Sequence, residues 1–454
     1  MRGFLGTTGL LMSFRSYRLA VTLTSLAPVS GAAQTTIDEA ARLDQTQLTS
    51  GLVVGLYHNG RMDFISSWGT NSHGDLEPLT PDRLFPFPGL TEILIATTVR
   101  SLSVAAILDD NAPIARYLPD LPAELGAITL DQLLTHSAGL DNAPPLEDQT
   151  WSEALDRLSG RALVTEPGLI YSVSRYSYLL AARVIERATS ASLGELITTA
   201  ILVPLGMKRS TFSLEEARVL GVAQGYSGYS NPSDPVVEVE LAAEAHGLPV
   251  LYTTVEDVIR LMAALLDGVI EAGMPFERGK TFHDPSPGSR FLDGFQIDEY
   301  RGVPRAYRSS TELGFGARVR VLPQSRTVLV AWANGRYPSR TSLFIENAIA
   351  ASLDLPAAVP LAPNPPPEEL EGPEDPSAWA GTYRNGDLIV VLRYEQGNLL
   401  LFSGTQNLSV APIREGFMAA RIADGRVALT FQLVEVGGRR FVFLRNIAYS
   451  MQPP

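Results

Sequence analysis

Two hairpin signals, far apart in the chain, constrain the fold more than any other feature. The first is the pair of apolar runs Leu52–Tyr57 and Arg61–Trp68, which flank His58-Asn59-Gly60. Asn-Gly suits a type I′ turn because both residues tolerate positive φ. The second pairs Arg318–Leu322 with Thr327–Ala333 around Pro323-Gln324-Ser325-Arg326. Helical texture lies between the two hairpins and another helical stretch, Thr341–Ser352, follows the second. That order predicts an antiparallel sheet built from both ends of the segment, with a helical insert between them.

The helices have recognisable starts. Phe85-Pro86-Phe87-Pro88-Gly89-Leu90-Thr91-Glu92 is an aromatic, proline-rich approach that stops at a glycine and runs into Ile93–Leu102. This stretch has no Gly or Pro and reads as a mostly buried helix beginning at Gly89. Short helices are expected at Ile114–Leu118 and Leu130–Leu134, and longer ones at Thr36–Leu48, Tyr176–Ala188 and Leu193–Leu202. Thr254, with Asp257 three residues on, is close to a capping box ahead of Val258–Leu266. Leu361–Pro376 is rich in Pro and Glu and reads as a stiff linker. Beyond Trp379 the texture turns to short strands: Leu388–Arg393, Asn398–Phe402, Leu408–Ile413, Phe417–Ile422, Val427–Leu433 and Arg440–Arg445. Gly, Asn and Asp turns separate them, so a small all-β barrel or sandwich is expected.

Composition excludes several function classes. Hydrophobic residues make up 45% of the 454 and charged residues 19%, enough to bury a large core. A net charge of −13 argues against a nucleic-acid partner and gives no attraction to anionic lipid. The chain has no cysteine, which excludes disulfides, thiolate metal sites, a cysteine nucleophile and a lipid-modified cysteine. His58, His73, His136, His246 and His283 are scattered without ligand spacing, so neither a metal nor a cofactor is expected. Arg2, Arg15 and Arg18 precede an apolar run, Leu19–Val29, and then Ser30-Gly31-Ala32-Ala33-Gln34. A positive start, a short apolar run and small residues describe a secretory signal peptide over 1–33, with Met1 or Met12 as the start. The run falls short of the ~20 residues a membrane span needs. An exported, periplasmic or extracellular protein with no membrane span after cleavage is therefore expected.

Several motifs point to a family. They are Leu133-Leu134-Thr135-His136-Ser137-Ala138-Gly139-Leu140, Pro167–Tyr178, Pro204-Leu205-Gly206-Met207 and Tyr252–Asp257 before a helix. Gly314-Phe315, Pro323 and Ala333-Asn334-Gly335 continue the series. Their order and spacing resemble the class C-like branch of the serine β-lactamase / penicillin-binding-protein superfamily, which also holds peptidases and esterases. The resemblance covers roughly Leu52 to Ala351. It implies an α/β fold in which an antiparallel sheet is flanked by helices and carries a helical insert. It also implies a small C-terminal β domain beginning at Ala380-Gly381-Thr382-Tyr383. The expected organisation is a signal peptide over 1–33, a β-lactamase-like domain over 34–360, a linker over 361–376 and a β-barrel-like domain over 377–454.

The same resemblance places the site and finds it altered. The family's serine falls on Gly89 and its lysine, three residues on, on Glu92. The family needs both on one helix face so that the lysine can help take the serine proton. The tyrosine of its Tyr-x-Asn motif falls on Tyr171, and the asparagine that would bind a substrate amide falls on Val173. The basic strand facing the nucleophile falls on Arg308-Ser309-Ser310, where Ser310 replaces a glycine. A shifted register cannot restore the pair. The chain has only Lys208 and Lys280, and the residues three before them are Leu205 and Glu277. No G-x-S-x-G elbow is present either.

Two readings of these positions stand side by side. In one, Gly89 caps the helix and Glu92 favours its positive end, Arg308 pairs with Glu92, and Tyr171 and His136 are packing residues. In the other, Glu92, Tyr171, Val173, Arg308 and Ser310 line a working site. The expectation is a pseudoenzyme that binds a peptide, a cell-wall fragment or a protein. The alternatives are an active hydrolase with a rearranged site, or a structural protein acting through its β domain.

Overall fold

The computed structural model describes residues 51–72, 77–142, 153, 156, 158–161, 163–227, 237–245, 247–270, 272–275, 290–300, 302–334, 372–403, 406–414, 417–422, 427–444 and 446–453. The signal-like segment 1–33, the helices expected at 36–48 and 341–352, most of the 361–376 linker, Gly335, His73, His246 and His283 lie outside the described residues. The chain divides into two compact units. The described residues among Met1–Asp110, Ile185–Arg278 and Phe291–Ala358 form the first, and those among Asn111–Val184, Gly279–Arg290 and Val359–Pro454 the second.

The first unit is organised on a seven-stranded antiparallel sheet. Its strands are β1 (Gly51–His58), β2 (Arg61–Gly69), β3 (Arg290–Leu292), β4 (Phe295–Tyr300), β5 (Val303–Glu312), β6 (Phe315–Leu322) and β7 (Thr327–Asn334). The spatial order is β2-β1-β7-β6-β5-β4-β3. Both hairpins form, and β1 pairs with β7, so the two ends of the segment close one sheet. Residues 290–300, which carry β3 and β4, had no strand signal of their own in the sequence. Gln296-Ile297-Asp298-Glu299-Tyr300 is mostly polar, and β4 is recruited by pairing with β5.

The helices follow in chain order: α1 (Pro88–Val104), α2 (Ala123–Gly126), α3 (Leu130–Leu134), α4 (Arg175–Thr189), α5 (Leu193–Ile197), α6 (Leu214–Leu220) and α7 (Val255–Leu266). The helix expected at 114–118 is only a 3₁₀ turn, Ile114–Arg116, and the one expected at 193–202 passes into a π-helical turn at Thr198–Leu202. Helix α7 packs on β1, where Val255 leaves no room for a Cβ at Gly55.

The cap of α7 departs from a capping box. Thr254 does accept from the Asp257 N–H, at 3.3 Å. The Asp257 carboxylate turns elsewhere, accepting from the Arg209 N–H and the Ser210 hydroxyl, both at 2.9 Å. Burial pushes its carboxyl pKa up, and the hydrogen bonds from Ser210 and Arg209 only partly offset this. A carboxyl with a raised folded pKa makes the folded state bind more protons. Its stability contribution is therefore present below about pH 4 and is lost as pH rises through the raised value. Asp257→Asn should flatten the pH dependence of stability above about pH 4, as read from urea midpoints measured across a pH series.

In the second unit, β8 (Gly381–Asn385), β9 (Leu388–Glu395), β10 (Asn398–Ser403), β11 (Gln406–Arg414), β12 (Phe417–Arg421), β13 (Val427–Val436), β14 (Arg439–Leu444) and β15 (Ile447–Met451) close an antiparallel barrel. Six of these strands are legible in the sequence. β8 and β15 are short, five residues each, and pair with each other at Tyr383–Met451 and Arg384–Ser450 across the closure. Side chains fill the interior, including Trp379, Tyr383, Leu392, Leu401, Met418 and Phe431. The barrel is thus a packed core rather than a hollow carrier.

Candidate functional site

The approach to α1 is rigid. Phe85 and Pro86 pair with Thr253 and Tyr252, and the Phe87 N–H donates to the Leu251 carbonyl at 2.9 Å. The Phe85 and Phe87 rings meet Trp332 of β7 edge-on, with centroids 5.1 and 5.5 Å away. Pro88 takes the first helical position, where a missing N–H costs nothing.

The helix does not start at the glycine. Phe87 is its N-cap and Gly89 is its second residue, so Glu92 is the fifth and no acid sits in the first turn. The cap and dipole reading of Gly89 and Glu92 therefore fails. Glu92 instead forms an ion pair with Arg308 of β5, Oε2 to Nη2, at 2.6 Å. Both side chains are mostly buried, at 24% and 17% exposure.

Arg308 is held on further sides. Its Nη1 faces the Gly294 carbonyl at 3.4 Å, and its guanidinium lies 5.3 Å from the Phe291 ring centre. Its stem crosses the α1 start so closely that a Cβ on Gly89 would meet Nε at 2.8 Å and Cγ at 3.3 Å. The space a nucleophile's side chain would occupy is filled by arginine. Ser310, two residues along β5 and on the same face, is half-buried.

Tyr171 and Val173 belong to the second unit. Tyr171 is buried, its ring 6.2 Å from His136 and 6.1 Å from Phe443 of the barrel. His136 has positive φ, +52°, and turns its Nδ1 toward the Ser174 N–H at 3.4 Å. It also packs on Tyr178, whose hydroxyl donates to the Leu134 carbonyl. The Val173 N–H donates to the Asn446 carbonyl at 2.8 Å, and the Ser172 hydroxyl accepts from the Ala448 N–H at 3.1 Å. The loop carrying the family's tyrosine is thus stitched to the β14–β15 hairpin.

A second clasp was not legible in the sequence. The Asn385 Oδ1 accepts from the Asn142 N–H at 2.7 Å, and Arg161 bridges the buried Asp141 and the exposed Asp387. Gly386 lies against the Asp141 carboxylate, where a Cβ would fall 2.3 Å from Oδ2, and its φ is +57°. Asn385-Gly386-Asp387 does carry a turn signal, but nothing local names a partner more than 200 residues away.

Chemically, the first unit offers no nucleophile at the head of α1, and the flanking acid and base neutralise each other. Among the described residues, no group of three or more His, Asp or Glu could hold a metal ion.

Residues 37–352 match the family described as Beta-lactamase, and the chain belongs to that family, within the serine hydrolase superfamily. Among characterised proteins it is 26% identical over 299 residues to an unguisins hydrolase of Aspergillus campestris, covering 58% of this chain and 54% of the relative. It is 25% identical over 261 residues to Esterase EstB of Burkholderia gladioli, covering 47% and 65%. The chain thus spans between 54% and 65% of the length of these two relatives. Among solved structures, SurE with D-Leu superposes with a TM-score of 0.75 at 19% identity, covering 93% of this chain and 99% of that one. That likeness shows the fold, barrel included.

Proposed function

We propose that this chain is a non-hydrolytic member of the beta-lactamase family, exported, and acting by binding a peptide, a cell-wall fragment or a protein partner. One observation carries the reading: the Arg308–Glu92 ion pair lies over Gly89, where relatives with the family's motif place a reactive serine. A lost serine alone leaves a vacancy that water or a neighbouring group can use. Here the vacancy is filled and the lysine position carries the opposite charge. Acyl-enzyme chemistry needs an activated nucleophile with a base beside it, and neither group is supplied. Export is supported by the basic start, the apolar segment Leu19–Val29 and the small residues Ser30-Gly31-Ala32-Ala33 that follow it.

The test is direct acylation. The purified protein is incubated with a fluorescent penicillin and, separately, with a fluorophosphonate, and its intact mass is measured. No adduct is expected with either reagent. A covalent adduct on any serine overturns the reading and makes the chain an active hydrolase with a rearranged site.

A further inference from the structure

The second unit holds a cavity of about 660 Å³ whose lining includes none of Gly89, Glu92, Tyr171, Val173, Arg308 and Ser310. It lies within the size range of small-ligand sites. Its walls come from the segment around Asp141–Val164 and from the outer face of β8, β14 and β15. The charges on those walls are unevenly committed. Arg161 is clamped between Asp141 and Asp387. Arg439 faces Glu166 at 3.0 Å, an exposed pair of the kind that contributes little.

Two charges remain uncommitted: among the described residues, neither Arg384 nor Asp156 has an ion-pair partner, and both line the cavity. Arg384 of β8 stands directly opposite Ser450 of β15, so their side chains share one face of the barrel wall. Arg439 of β14 reaches the Ser450 hydroxyl from the other side, Nη2 to Oγ at 3.2 Å. Two guanidinium groups thus flank a buried hydroxyl on three adjacent strands. Planar forks in that arrangement suit a carboxylate. Three arginines and three aspartates line the walls, so the site carries no net positive charge to favour a multiply charged anion, and Asp156 offers a counter-charge to an ammonium group.

We infer that this cavity binds a small zwitterion, an amino acid or a short peptide. Its carboxylate sits on Arg384, Arg439 and Ser450, and its ammonium group faces Asp156. The site uses neither Gly89 nor Glu92, so it stands or falls separately from the acylation result.

Titration calorimetry on the full chain tests it, with alanyl-alanine of either hand, acetate and inorganic phosphate as probes. The dipeptide should bind, and acetate and phosphate should bind at least tenfold more weakly. Arg384→Ala should weaken the dipeptide at least tenfold and Asp156→Asn severalfold. Neither change should move the melting temperature, because among the described residues neither side chain holds a partner. No dipeptide binding by the parent, unchanged binding by Arg384→Ala, or phosphate binding as tight as the dipeptide would each overturn the assignment.

Discussion

Arg100→Ala should destabilise the first unit by about 3–5 kcal/mol, the usual result of stranding a buried charge. Arg100 projects from α1 and is 7% exposed. Its Nη2 and Nε reach the Asp293 carboxylate, Nη2 at 2.8 Å, and its Nη1 binds Asp110. Asp293 is itself buried and sits in the β3–β4 turn at positive φ, +50°. Removing the guanidinium leaves that carboxylate desolvated and uncompensated. Replacing both partners, as Arg100→Met with Asp293→Asn, should cost less than the sum of the single changes, because the buried Asp293 carboxylate is then no longer left stranded, although the partly exposed Asp110 still loses the guanidinium.

The effect should reach the candidate site. The next residue after Asp293 is Gly294, whose carbonyl faces Arg308. The turn therefore ties α1 at Arg100 and holds the arginine that covers Gly89. Hydrogen exchange should show faster opening at 291–295 in Arg100→Ala than in the parent. A thermal or urea midpoint equal to the parent's would show that the network carries no net stability.

How much of this was legible depended on the range of each interaction. The two hairpins were readable because their turns and alternation are local, and pairing β1 with β7 followed from their order. β4 was not readable, since its residues alternate weakly and its strand form comes from β5. The start of α1 was misplaced by one residue because a glycine looks like a boundary. The boundary was set instead by Phe87, held by Leu251 and by its edge-on contact with Trp332. The charge change at Glu92 and the arginine at 308 could each be read, and together they suggested a pair. That Arg308 also covers Gly89 is a matter of side-chain path, which no spacing rule supplies. The docking of the Tyr171 loop on the barrel was invisible for a related reason. It is made by the Val173 N–H on the Asn446 carbonyl, which any sequence could provide, and by the Ser172 hydroxyl on the Ala448 N–H, where the serine names no partner 276 residues away.

The same geometry bears on how catalysis could be restored, and it puts the Arg308 side chain in the way of the simplest route. Gly89→Ser with Glu92→Lys rebuilds the family's pair on one helix face. The new Cβ would nevertheless lie 2.8 Å from the Arg308 Nε, closer than real Cβ atoms come, so the arginine side chain must shift to admit it. The second change would also replace an ion pair with two cations in a mostly buried place, which favours neither the fold nor an aligned base. The double variant should therefore give no fluorophosphonate adduct and should melt below the parent. Adding Arg308→His removes the obstruction and the like-charge contact together, and adduct formation should then appear in the intact mass. Val173→Asn can be added without breaking the loop's tie to the barrel, because that bond uses the Val173 N–H rather than its side chain. If the double variant labels as readily as the triple, Arg308 does not block the position. If the fourfold variant also stays unlabelled while remaining folded, more of the catalytic geometry is missing than these four residues.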